Sequence, residues 1–260
     1  MFHQKLQLFL ANLKNGVYHN GKVVNGVYVP DEDTEGKYIV YIMQVIEYQH
    51  RGLPHAHVVY RVHYEHKPNA QPLSADEQLR RQEITRQRID GFEETNDEGE
   101  TIIHLPEVMA YRPPECTKEA SERNAEEEAQ CILDAIVSEN NQHKCSPACK
   151  ATPDAECKRG FDRFIVQEKT TFKEKNKRPI YARPTRRDLR TVAYKASMML
   201  DWNGHMNVES ATNERSVAYL YNYLFKGIGK VMVELRKKAA LEGVENPQQG
   251  KQKQSILLSI

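Results

Sequence analysis

Apolar residues at Phe2, Leu6, Phe9, Leu10 and Leu13 recur at helical spacing and Asn15-Gly16 follows them, which predicts a helix over 2–13. Two short pieces bearing valine and tyrosine lie around Asn20-Gly21 and Asn25-Gly26. The stretches 38–47 and 58–62 are rich in β-branched, aromatic and aliphatic residues, and Arg51-Gly52-Leu53-Pro54 supplies turn chemistry between them, so the pair reads as a β-hairpin. Residues 67–96 are polar and turn-rich, with a helix expected over 75–89 capped by Ser74. A second helix is expected over 119–140, acidic at its start, with Cys131, Ile132, Ala135 and Ile136 as its apolar side. The apolar run 192–202 is compatible with helix or strand, 205–209 reads as a short strand, and 213–229 as a helix ending at Gly227 or Gly229. The lysine- and glutamine-rich tail beyond is weakly patterned, and no internal repeat is visible. The fold class implied is α+β, an antiparallel sheet with helices packed on it.

Net charge is +1, so the total alone predicts no polyanionic partner; its distribution is more informative. Residues 115–139 hold eight acidic against two basic side chains, and 168–190 hold nine basic against three acidic, which separates an acidic helix from a basic surface. No apolar run reaches membrane-spanning length, and the N-terminus lacks a signal-peptide pattern. Three of the five cysteines crowd between Cys145 and Cys157 beside His143, which reads as reduced thiols with metal potential rather than a disulfide framework.

The most informative run is Glu47-Tyr48-Gln49-His50-Arg51-Gly52-Leu53-Pro54-His55-Ala56-His57. Strand side chains alternate faces, so His55 and His57 project together, as do Glu47 and Gln49 on the preceding strand. In the simplest register two imidazoles and a carboxylate or amide oxygen converge, a donor set that suits a divalent cation. Tyr219 and Tyr223 stand at i and i+4 on the predicted helix, one above the other. A phenol, with a pKa of about 10, is a poor nucleophile unless a metal polarises its target or a base takes its proton. An aromatic stripe packing a helix on a sheet gives the same spacing. Lys226 suits either a phosphate or the helix C-terminus.

His143, Cys145, Cys149 and Cys157 have the donor types of a structural Zn²⁺ site, although their spacing is not that of common zinc fingers. Arg178, Arg183, Arg186, Arg187 and Arg190, interleaved with Tyr181, suit a groove that tracks single-stranded nucleic acid; a solvated basic loop is the plain alternative.

Together these segments resemble the replication-initiator (HUH endonuclease) domain of Helitron rolling-circle transposases. The Glu-x-Gln-x-Arg-Gly-Leu-Pro-His-Ala-His run resembles that family's second motif, His205-Met206-Asn207-Val208-Glu209 an element just ahead of its nucleophile helix, and Tyr219 to Gly227 its two-tyrosine motif. The cluster His143, Cys145, Cys149, Cys157, followed by Gly160-Phe161, resembles the cysteine-bearing segment between them, and the likeness covers roughly 40–229 in the family's order.

The resemblance implies that His55 and His57 hold Mg²⁺ or Mn²⁺, with Glu47 as third ligand and Gln49 as its alternative. Tyr219 or Tyr223 then attacks single-stranded DNA, giving a 5′-phosphotyrosyl link and a free 3′-hydroxyl. Five segments follow: 1–66 with the first helix and metal hairpin, 67–140 as a polar and acidic helical insertion, 141–165 as the zinc-like segment, 166–229 with the basic stretch and two-tyrosine helix, and 230–260 as a polar tail. Transposon-end and target DNA are the expected partners, with a helicase domain in the same polypeptide, in the nucleus and away from membranes. The family's upstream strand and its phosphate-binding Gly-x-x-x-x-Gly-Lys-Ser/Thr loop are not found, so a fragment is expected. The rivals are a single-stranded DNA-binding remnant without catalysis and a metal-dependent nuclease in which water attacks.

Overall fold

A computed structural model describes residues 1–18, 21–30, 39–48, 53–62, 74–150, 152, 154–174, 177–211, 231–235 and 255–259. It is α+β with small antiparallel sheets. Helix α1 (Phe2–Lys14) buries Leu6, Phe9, Leu10 and Leu13, the stripe its spacing predicts. Strands β1 (Gly21–Val24) and β2 (Val27–Pro30) meet at Asn25-Gly26, both at positive φ as a two-residue hairpin requires. Strands β3 (Ile39–Tyr48) and β4 (Pro54–Val62) pair antiparallel.

Helix α2 (Ala75–Asp90) starts where Ser74 Oγ accepts from the Glu77 N–H and stops at Gly91, where a β-carbon would meet the His104 carbonyl at 2.5 Å. Strands β5 (Phe92–Thr95) and β6 (Thr101–His104) follow and complete a four-stranded sheet in the order β2-β1-β6-β5.

Helix α3 (Ala125–Asn140) begins later than expected because Asn124 caps it reciprocally with Glu127. Its buried side is Leu133, Ile136 and Val137; Ile132 is exposed, and Cys131 is joined to Cys116 in a disulfide with its Cα atoms 5.6 Å apart. The expectation of reduced thiols is therefore corrected for this pair and holds for Cys145, Cys149 and Cys157, which are free. After the short pair β7 (Thr171–Phe172) and β8 (Pro179–Ile180), the ambiguous run splits. Thr191 and Tyr194 make extended bridges, and α4 (Ala196–Trp202) is helical, burying Met198, Met199 and Trp202.

Strand β9 (Asn207–Ala211) and two strands from the tail, β10 (Val231–Leu235) and β11 (Ser255–Ser259), join the hairpin in a five-stranded sheet of order β10-β3-β4-β11-β9. The tail's strands are corrections to its weak pattern: their partners lie far away in sequence. The main core lies on one face of this sheet, where Ile42, Ala56, Val58, Tyr60 and Val208 meet residues of α1, α3 and α4. By strand alternation Glu47, His55, His57, Asn207 and Glu209 occupy the opposite face. No described helix is long and apolar enough to cross a membrane. The predicted two-tyrosine helix, with Tyr219, Tyr223 and Lys226, lies outside the described residues, as does Gln49.

Candidate metal centres

Register decides what the hairpin can do. Glu47 stands directly opposite His55, and His57 stands opposite Val45, so the carboxylate and both imidazoles share one face. His57 Nε2 lies 3.4 Å from Glu47 Oε2, and the two imidazole rings meet edge to face with centroids 4.7 Å apart. Burial, with the neighbouring His57 and His205 adding to it, pulls the His55 pKa down to about 4. Burial also lowers His57 despite the opposing pull of Glu47. Both rings are thus neutral near pH 7, the form in which imidazole donates a lone pair.

Among the described residues, the group whose ligand atoms close up enough to hold a metal ion lies elsewhere, in the cysteine segment. One ligand atom from each of His143, Cys145, Cys149 and Cys157 lies within 4.8 Å of every other. His143 Nε2 is 3.4 Å from Cys145 Sγ, 3.6 Å from Cys149 Sγ and 3.2 Å from Cys157 Sγ, and the Cys149 and Cys157 sulfurs are 3.5 Å apart. This group could hold a metal such as zinc, whose preferred partners are thiolate and imidazole. Local backbone shape builds it: Gly160, at φ 79° in the left-handed region, turns the chain so that Phe161 stacks on His143 with centroids 4.2 Å apart. Burial raises the Cys157 thiol, but the N–H groups of Phe161 and Arg159 and the adjacent thiols outweigh it and bring the pKa down to about 7. Burial pushes Cys145 upward, so Cys157 ionises ahead of it.

His205 is exposed and is tied to the end of α3. Its Nδ1 donates to the Asn140 carbonyl at 2.9 Å. Burial is the main cause that lowers the pKa of His143, as it is for His55, and proximity to His205 adds to it in both. Asn207, two residues on, lies in the row of His57 through Ser259. The neighbouring Asn141 is fully buried and ties three segments: its Oδ1 accepts from Met206 N at 3.0 Å, its Nδ2 donates to Val192 O at 2.9 Å, and its own carbonyl accepts from Val192 N.

The basic stretch departs from the expected groove. Tyr181 is buried, with its hydroxyl accepting from Ser210 N at 2.9 Å. Arg183 is 3 % exposed, donates to the carbonyls of Tyr181 and Thr191 and lies 3.8 Å over the Phe164 ring. Buried side chains cannot track a strand, so both are corrected to core residues. Arg178 pairs with Glu209 at 2.9 Å, Arg187 with Glu115 at 2.7 Å and Arg190 with Asp162 at 2.8 Å, while Arg186 is exposed. Sequence reading missed Asn141 and Asp162; the spacing of Asp162 five residues after Cys157, beside Gly160-Phe161, was the available signal for the latter. Compared with protein-family models, with curated proteins and with solved structures, the chain matches none.

Proposed function

We propose that this chain is a metal-dependent single-stranded DNA endonuclease and strand transferase of the Helitron replication-initiator type, acting at transposon ends alongside a helicase domain. In this reading β3 and β4 form the HUH hairpin, and Tyr219 and Tyr223 are the nucleophiles. The observation that supports it is the convergence of Glu47, His55 and His57 on one sheet face, with the carboxylate within 3.4 Å of His57. Two neutral imidazoles and one carboxylate fit a divalent cation, and Glu47, directly opposite His55, is preferred over Gln49 as the third ligand. A bound Mg²⁺ or Mn²⁺ supplies Lewis-acid stabilisation of charge on the scissile phosphate.

The rest of the chemistry belongs to the chain. The phenolic oxygen of Tyr219 or Tyr223 forms a bond to phosphorus as the bond to the 3′ oxygen breaks. The phenol gives up its proton, the leaving oxygen gains one as a 3′-hydroxyl, and the 5′ side stays attached to the protein. The second tyrosine serves the other cleavage or the strand transfer.

The test is incubation of the purified chain with a labelled single-stranded oligonucleotide and Mn²⁺, read on a denaturing gel. The expected product is a protein–DNA adduct that survives denaturation and disappears in Tyr219→Phe/Tyr223→Phe and in His57→Ala. Cleavage without an adduct would transfer the reading to a nuclease in which water attacks. Binding without cleavage would leave a DNA-binding protein.

A further inference from the structure

We propose that Arg190 is a positioning residue of the cysteine cluster, holding three of its four ligands in place and balancing the charge of the loaded centre. The inference rests on the reading that His143, Cys145, Cys149 and Cys157 hold zinc. Arg190 touches the cluster with both ends of the residue. Its backbone carbonyl accepts from the His143 N–H at 2.7 Å. One guanidinium nitrogen donates to Cys145 Sγ at 3.4 Å, and another to Asp162 Oδ1 at 2.8 Å. The second Asp162 oxygen accepts from the Cys157 N–H at 2.9 Å and from Lys150 Nζ at 2.9 Å. Arg190 therefore reaches His143 and Cys145 directly and Cys157 through one carboxylate.

Charge gives this arrangement a purpose. Three thiolates and a neutral imidazole around Zn²⁺ carry a net charge of −1. Arg190 and Lys150 against Asp162 contribute +1 in immediate contact, so the loaded site and its surroundings are neutral together. A hydrogen bond from guanidinium to sulfur also draws electron density from the thiolate that receives it. Lysine could supply the charge but lacks the planar fork that serves Cys145 and Asp162 at once. An ordinary exposed ion pair would do none of this: Arg163 and Glu156, in the same segment and each 73 % exposed, form such a pair and supply the control.

The experiment uses the full chain with zinc or cobalt as the probe, in the parent, Arg190→Gln, Arg190→Lys, Asp162→Asn and Arg163→Gln. Zinc affinity is read by competition with a chromophoric chelator, and the Co²⁺ forms by their sulfur-to-metal charge-transfer bands. Arg190→Gln is expected to weaken zinc binding about tenfold, the usual consequence of removing a group that orients metal ligands. Its cobalt band should move to lower energy as Cys145 becomes a stronger donor. Arg190→Lys should recover part of the affinity but not the band position, Asp162→Asn should lose affinity, and Arg163→Gln should match the parent. Should Arg190→Gln fail to fold, Arg190→Lys and Asp162→Asn decide by the same two readouts. A parent-like affinity and band in those variants would overturn the role of Arg190 while leaving the zinc site standing. A parent chain that takes up neither zinc nor cobalt, with three freely reactive thiols, would overturn the zinc reading and this inference with it.

Discussion

Asn141→Ala tests whether the joint between α3, the segment around Val192 and the start of β9 holds the molecule together. The side chain has no exposed surface, and its two hydrogen bonds serve backbone groups in two different segments. Alanine leaves the Met206 N–H without its acceptor inside the core, where Met206 is fully buried, and removes one donor from the part-buried Val192 carbonyl. An unsatisfied buried donor costs about 2 kcal/mol and a partly solvated acceptor about 1, so the loss is about 3 kcal/mol. With a urea m-value of about 3 kcal/mol/M, the unfolding midpoint should fall by about 1 M. The chain's single tryptophan, Trp202, reports the transition, since it is buried in α4 with its ring edge-on to Phe9 at 5.7 Å. Asn140→Ala is the control, because exposed Asn140 meets His205 through its backbone oxygen, which alanine retains. A midpoint for Asn141→Ala within the error of the parent would show that these two hydrogen bonds contribute nothing to the fold.

Two further predictions follow from the centres themselves. Removing metal from the cysteine cluster with a strong chelator should lower the melting temperature. At free zinc a thousandfold above Kd, binding contributes about 4 kcal/mol, or about 8 °C for a chain of this size, and Cys157→Ser should abolish the difference between chelated and zinc-loaded samples. In the metal-free protein, the depressed pKa of His55, about 4 against an ordinary 6.5, makes the folded state bind fewer protons than the unfolded state between those values. Stability from this group is complete above pH 6.5 and is lost as pH falls through about 4, by roughly 3 kcal/mol in all. Urea unfolding of the parent and His55→Gln across pH 4–7 should show profiles that converge at the acid end; parallel profiles would sink the argument.

What the sequence made legible was local. The stripe in α1, the Ser74 cap of α2, the Asn25-Gly26 turn and the alternation that puts His55 and His57 on one side are written within a few residues of each other. The approach of His143 to three sulfurs was also foreseeable, since its ligands span only 143–157. Partners distant along the chain stayed hidden. β11 lies between β4 and β9, and no short pattern specifies a pairing between residues 57 and 259. The apolar side of the acidic helix was legible only in part: Ile136 is buried as expected, but Ile132 and Ala135 face out, Cys131 pairs with Cys116, and Leu133 and Val137 complete the buried face. The basic stretch misled for a related reason: formal charge counts Arg183 as surface, but stacking on Phe164 and two backbone carbonyls hold it inside.

Under the proposed function, the cysteine cluster and the hairpin face would suit different metals. At the cysteine cluster soft thiolates dominate, and Cys149 and Cys157 are buried, so four donors close around one point. Such a set favours zinc, and a filled tetrahedron leaves no position for a reacting group. On the hairpin the donors are two imidazoles and a carboxylate, and the Glu47 side chain is 48 % exposed at the open edge of its sheet face. Three harder donors leave coordination positions for a phosphate oxygen, so under the proposed function one metal supports the fold and the other meets the substrate.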